Sequence, residues 1–334
     1  MEKIKIDYYQ LMDLRIDYAF KLLFTKGDPR LLISLLNAIF ANKKIQRVIK
    51  SISIKNPFLD RESGDDKLSI LDIRAELEDG TAILIEIHMY GLGELKAKTI
   101  RSWARAYGED LEIGNRYTSQ PPTIAIAFTN GTVEALENTQ KESKIHRLCM
   151  IMDCEDFTVF TDAMELHYID MQAFAKAVNE ANSININDTE EAMFVKWLSV
   201  ITQKEINNKS IIENACKDEE EIYMAVSALS RQSEDKYARQ AYQRRQDELY
   251  FHNKARAEYE QAKHEIEQVK HEAEQAKHEA EQAKHEAEQA KHEAEQANRI
   301  IEQERQKAEQ ANAQLADKDA IIAELQAKLT GLSN

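Results

Sequence analysis

Apolar positions recur along this chain with three different periods, and each period predicts a different kind of element. Near the N-terminus, "LRIDYAFKLLF" (residues 14–24) and "DPRLLISLLNAIF" (28–40) repeat apolar residues at three- and four-residue spacing, the pattern of one helix face. Asp28 is the expected N-cap of the second helix and Pro29 its first residue, where a missing N–H costs nothing. "VIKSISI" (48–54) alternates β-branched with polar residues and predicts a strand, as does the uniformly apolar "PTIAIAF" (122–128) between Pro122 and Asn130-Gly131. "KAKTIRSWARAYGEDL" (96–111) returns to helical spacing. "RLCMIMD" or "FTVF", and "LHYIDM", add strands or edges. "DTEEAMFVKWLSVI" opens with a capping-box pattern, Asp188 with Glu191, and continues as an amphipathic helix. Helical patterns also occupy 211–250, with "EEEIYMAVSAL" and "DKYARQAYQRRQDELY" the clearest pieces.

The third period is seven. "AKHEAEQ" repeats from Ala262 and drifts to "ANRIIEQ", "ERQKAEQ" and "LQAKL". With Ala262 at d, positions a and d hold alanine through the middle, with Ile266 and Val269 at one end and Ile301, Leu315, Ile322 and Leu325 toward the other; Glu304 and Lys318 interrupt the d series. Glu279 at g and Lys284 at the next e are placed for interchain ion pairs of a parallel dimer. Residues 255–332 would form a rod of about 117 Å at 1.5 Å per residue. An alanine seam buries little apolar area, so the middle should associate weakly and the Ile/Leu ends should clamp it. The alternative is a lone charged helix. His264, His271, His278, His285 and His292 all fall at f and point outward. Neighbours are about 10.5 Å apart along the axis, too far to share one metal, so they read as a solvated face.

The segment "LDIRAELEDGTAILIEIHMY" (71–90) is a hairpin whose turn length decides its chemistry. A two-residue turn, Asp79-Gly80, sets apolar residues opposite charged ones throughout. A three-residue turn, Glu78-Asp79-Gly80, with Gly80 in the left-handed position, pairs Leu77 with Thr81. One face then reads Ala75 with Ile83, Ile73 with Ile85 and Leu71 with Ile87. On the other face Arg74 meets Leu84, Asp72 meets Glu86 and Ile70 meets His88. Like charges opposite one another destabilise a sheet, so the Asp72/Glu86 pair needs a reason. A divalent cation is the simplest: two carboxylates suit Mg²⁺, which keeps much of its own water. His88, two residues from Glu86 and on the same face, would orient or deprotonate the attacking water. The competing reading is a polar stripe facing solvent. On the next helix Lys98, Arg101 and Arg105 recur at i, i+3 and i+7, either to hold a phosphate backbone or to pair with Glu94, Glu109 and Glu112.

Composition and charge narrow the classes. The chain has 334 residues, 43% apolar by type, with four prolines and nine glycines, which is globular composition. The formal charge is −15, of which −9 falls on the first 250 residues and −6 on the rest, so both halves are acidic. Any nucleic-acid contact must therefore be local, cation-dependent or weak. Cys149, Cys154 and Cys216 make an odd count without paired spacing, which indicates neither a disulfide framework nor a thiolate zinc site. No run is long and apolar enough to span a membrane, and the N-terminus lacks the apolar block of a secretion signal, so a cytoplasmic location is expected.

In order and spacing, "DYAFKLLF", "LLISLLNAIF", "SISIKNPF", "DDKLSILDIRAELEDGTAILIEIHM", the arginine helix, "PTIAIAF" and "MELHYIDM" resemble the bacterial Rpn, or recombination-promoting nuclease and transposase, family of the PD-(D/E)XK nuclease superfamily. The resemblance covers residues 1–205 and continues loosely to about 260. It implies an α/β fold, a restriction-endonuclease-like core with a mixed central sheet flanked by helices; a helical segment follows, and then the long C-terminal coiled coil, which is less typical of the family and reads as an appended oligomerisation rod. The divisions are 1–205, 206–254 and 255–332. It implies Mg²⁺-dependent cleavage of DNA, with Mn²⁺ as a substitute, that promotes recombination or DNA mobility. Asp72 matches the family's metal-binding Asp, Glu86 its second acidic ligand, and Asp17 a first-helix acidic residue that helps the site. Lys21, four residues on, pairs with Asp17 or contacts phosphate, and Lys67 and Arg101 match positions usually basic. His88 stands where the superfamily has Lys and this family commonly Gln. The alternative is a catalytically inactive descendant acting as a coiled-coil interaction module or DNA-binding adaptor. DNA and a second copy of the chain are the expected partners, with no membrane.

Overall fold

A computed structural model of the chain describes residues 6–55, 73–90, 92–109, 120–131, 133, 144–181 and 192–331. Helix α1 (Asp17–Lys26) buries Phe20, Leu23 and Phe24, and α2 (Pro29–Asn42) buries Leu32, Leu35, Leu36, Ile39 and Phe40. As expected, Asp28 caps α2: its side chain accepts the Arg30 N–H at 2.9 Å, ahead of Pro29 at the first turn. Strand β1 is only Ser53–Ile54, shorter than the alternation of 48–54 implies. The reason is a contact from α2. The Asn37 amide takes both backbone groups of Ile49, accepting its N–H at 2.8 Å and donating to its C=O at 3.0 Å, so that residue has no ladder bonds to give.

The hairpin β2 (Ile73–Glu76) and β3 (Ala82–His88) has the register that a three-residue turn predicts: Ile73 with Ile85, Arg74 with Leu84, Ala75 with Ile83. Gly80 sits at φ +84°, and the Leu77 N–H donates to the Thr81 C=O at 3.0 Å. Leu71, Asp72 and Ile70, which would extend the pairing, lie outside the described residues.

A short 3₁₀ turn (Leu92–Glu94) leads into α3 (Leu95–Glu109), then β4 (Thr123–Thr129), buried at all seven positions. β5 (His146–Met152) and β6 (Val159–Asp170) form a second hairpin, in which the second half of "FTVF" and all of "LHYIDM" but its final Met belong to one long strand. α4 (Met171–Ala181) follows without a turn, an element that loop punctuation did not signal. Asp170 ends β6 and caps α4, accepting the Ala173 N–H at 2.9 Å. α5 (Ala192–Ile201), α6 (Ser210–Asp218), α7 (Glu220–Glu234) and α8 (Lys236–Gly331) complete the chain. The Asp188–Glu191 capping box lies outside the described residues.

The six strands described form one sheet, in the order β1-β2-β3-β4-β6-β5. β3, β4 and β6 are parallel; β1 and β2 on one side and β5 on the other are antiparallel to their neighbours. Alternation along the strands separates two faces. Ile73, Ile83, Ile85, Ile124, Ile126 and Phe128 join α1, α2, α5 and α7 in the main core. Leu84, Ala125, Ala127, Leu166 and Tyr168 meet Leu95 and Trp103 of α3 on the opposite face. α6, α7 and the start of α8 belong to the main core through Ile212, Ile222, Val226, Leu229 and Tyr242. The chain divides into two compact units, 1–253 and 254–334. In the second, α8 runs on through Gly331, and every side chain from 257 to 328 is exposed. No helix among the described residues is long and apolar enough to cross a membrane.

Candidate active site

The carboxyl ends of parallel strands are where open α/β sheets present their functional groups, and here they carry the polar residues of the α3 face. Strand β3 presents Leu84, then Glu86, then His88, because alternate residues share a face. Glu86 is opposite Ala127 of β4, which is opposite Tyr168 of β6; one step on, His88, Thr129 and Asp170 form a second row. Leu95, Thr99 and Ala106 of α3 are buried, and the Trp103 indole N–H donates to the Thr123 C=O at 2.9 Å, which ties the helix to the sheet.

Glu86 is only 6% exposed. An uncompensated buried carboxylate is costly, and the site supplies partners. His88 Nε2 lies 2.7 Å from Glu86 Oε2, and the Lys98 ammonium 4.0 Å from the same oxygen. Burial raises the Tyr168 phenol, the Thr99 hydroxyl beside it opposes that shift, and the Cys149 thiol and the Glu86 charge add to it. By bond geometry neither hydroxyl has a partner among the described residues.

Asp72 and Lys67 lie outside the described residues. Arg101 and Arg105 are exposed on α3, the helix that brings Lys98 to Glu86. Asp17, at the start of α1, is gripped by Arg245 of α8: Nε to Oδ1 is 2.9 Å and the terminal nitrogen to Oδ2 2.7 Å, with Glu248 3.1 Å from the same guanidinium. α1 packs on the main-core face, its Phe20 ring 5.6 Å from that of Phe128, whereas Glu86 is on the α3 face. Lys21, one turn along α1, is half-buried. Among the described residues no three His, Cys, Asp or Glu side chains converge to hold a metal ion.

Tyr168, Thr99 and Arg245 are residues that the sequence does not single out. Tyr168 had a signal, since two-residue alternation in "LHYIDM" sets it on the face opposite Ile169, but nothing in the sequence placed that face beside Glu86. The Asp17–Arg245 pair spans 228 residues and has no local signature.

A mixed sheet flanked by helices is the core that the Rpn resemblance implied. A family model described as PD-(D/E)XK nuclease family transposase matches residues 14–259, about three quarters of the chain. No curated protein and no solved structure matches it. On the strength of that match, the chain belongs to the PD-(D/E)XK nuclease family transposases.

Proposed function

We propose that the protein is a Mg²⁺-dependent DNA endonuclease that hydrolyses phosphodiester bonds and so promotes recombination or DNA mobility. The observation that carries this reading is the buried Glu86 carboxylate, with His88 at 2.7 Å and Lys98 at 4.0 Å, at the end of a parallel strand. Glu86 offers the hard oxygen that Mg²⁺ prefers, and Mg²⁺ needs few protein ligands. Asp72 precedes Ile73 in sequence, and Ile73 pairs with Ile85, the residue before Glu86, which supports Asp72 as the second ligand. A divalent cation bound there would supply positive charge to the attacking and leaving oxygens.

The chain's own groups do the rest. With Glu86 ionised, the short bond to its Oε2 requires the proton of His88 to sit on Nε2. That leaves Nδ1 as the basic nitrogen, able to orient a water and take its proton. Lys98, Arg101 and Arg105 give α3 a cationic edge for the scissile backbone, and Lys21 and Lys67 are the further candidates for phosphate contact. A local edge of this kind is what an otherwise acidic chain needs in order to hold DNA.

We also infer that two copies associate through 255–332, since the Ile and Leu side chains at the predicted a and d positions are exposed on the single helix. One observation favours a second reading, an inactive descendant that serves as an adaptor: Asp17 is neutralised by Arg245 rather than turned toward Glu86. Nicking of supercoiled plasmid with Mg²⁺ or Mn²⁺ separates the readings. The wild type should nick and Asp72→Ala should not. Equal nicking by both would remove Asp72 from the site, and no nicking by the wild type would favour the adaptor.

A further inference from the structure

β5 lies at the edge of the sheet, and beyond Met150 it leaves the body with β6 as a two-stranded arm whose residues 151–160 are all exposed. The tip is tightly built. The Asp153 N–H donates to the Thr158 C=O at 2.8 Å, the Asp153 carboxylate accepts the Glu155 N–H at 2.8 Å, and the Asp156 carboxylate accepts the Thr158 hydroxyl at 2.8 Å. This frame holds Phe157 at φ +59°, a conformation that turns normally give to Gly or Asn. The ring so displayed is 75% exposed, and that of Phe160 is 76% exposed. A bulky residue kept in a strained conformation only to face water points to a function for the ring.

The charge around these rings says what fits them. Residues 150–162 hold Asp153, Glu155, Asp156 and Asp162 and no lysine or arginine. Four negative charges repel a phosphate backbone. They equally oppose an arm-to-arm contact between two copies, which would face acid with acid. Exposed aromatic anchors rimmed by carboxylates suit a partner with apolar and basic side chains. Among the described residues β5 pairs only with β6, so its outer edge offers the backbone groups that an extended segment would bond.

We propose that the β5–β6 arm is a docking site for an extended, lysine- or arginine-rich segment of a partner protein, anchored on Phe157 and Phe160. Phe157→Gly tests it, because glycine relieves the backbone while deleting the ring. The probe is a fluorescein-labelled twelve-residue peptide of alternating lysine and valine, titrated by anisotropy against the full-length chain. The expected result is saturable binding that weakens with salt, at least tenfold weaker binding to Phe157→Gly and to Phe160→Ser, and a Tm of Phe157→Gly no lower than the wild type's. A lysine–serine peptide of the same charge should bind at least tenfold more weakly than the lysine–valine one. Equal binding by wild type and variants, or no binding of the lysine–valine peptide, overturns the proposal. So does a fall in the Tm of Phe157→Gly, which would give the ring a structural role. A change of oligomeric state in Phe157→Gly by sedimentation velocity would assign the arm to a second copy instead, and weakened duplex-DNA binding would assign it to nucleic acid; either result overturns it.

Discussion

Glu86 and His88 bear the chemical argument at the scale of single residues. If His88 takes the proton of the attacking water, His88→Ala should slow plasmid nicking by about 100-fold, the lower range for loss of a general base. His88→Lys, which restores the superfamily's usual side chain, should keep the rate within about tenfold of wild type. Both are read from initial nicking rates at saturating Mg²⁺. A second residue-scale prediction concerns acid. Burial, then the neighbouring His167 and Lys43, pushes His146 down to about 2, and burial lowers His167 as well. Their rings are joined at 3.0 Å, and His146 is bonded to Asn42 at 2.6 Å. Burial works to raise Glu165, but His167 and the bidentate Arg47 outweigh it and hold the carboxyl at about 2. A histidine depressed in the folded state contributes stability that is complete above its unfolded value, about 6.5, and declines as pH falls below it. The carboxylate's share declines below about 4.5. Thermal melts should therefore show Tm falling from about pH 6.5 downward, and more steeply below about 4.5, with His146→Gln flattening the upper part.

The elements were legible in the sequence where local chemistry decides them. The capped α2, the buried β4 and the three-residue turn at Gly80 each follow from a few neighbouring residues, and Asp28, Pro29 and Gly80 do what their types dictate. The alternation of 48–54 overstates β1 because the groups that cut it short belong to Asn37, twelve residues away. α4 has no sequence signal at its start because Asp170 ends a strand and caps a helix at once, leaving no loop to mark the change. The site was legible to the same degree. Glu86 and His88 follow from alternation on one strand, whereas Tyr168 joins them only through the order of strands β3, β4 and β6. The grip of Arg245 on Asp17 makes an element-scale prediction, since it fastens the start of α8 to α1. Both side chains are largely buried, so Arg245→Ala, which strands a carboxylate, should cost about 3 kcal/mol in urea unfolding. The double change Asp17→Asn, Arg245→Met should cost less than the single one.

For the molecule as a whole, the match to residues 14–259 extends through α6 and α7 into α8, in keeping with their share of the main core. The exposed Ile and Leu positions beyond it are the part of the account that a single chain leaves open to solvent. If they form the seam of a two-stranded coil, the full-length protein should sediment as a dimer, and Ile301→Asp with Ile322→Asp should convert it to a monomer, because a charge at a core position removes its burial and adds repulsion. The alanine middle of the repeat predicts that truncating from Arg299 onward weakens the dimer far more than deleting two internal heptads. The central claim, that Glu86 is the acidic centre of a metal-dependent nuclease, is tested most directly by one comparison. Wild type and Glu86→Gln, matched for Tm, are incubated with supercoiled plasmid, with and without Mg²⁺. The account predicts Mg²⁺-dependent nicking by the wild type that falls at least about 100-fold in Glu86→Gln, the scale on which losing one transition-state contact is felt. Undiminished nicking by Glu86→Gln, or nicking that persists without a divalent cation, would contradict it.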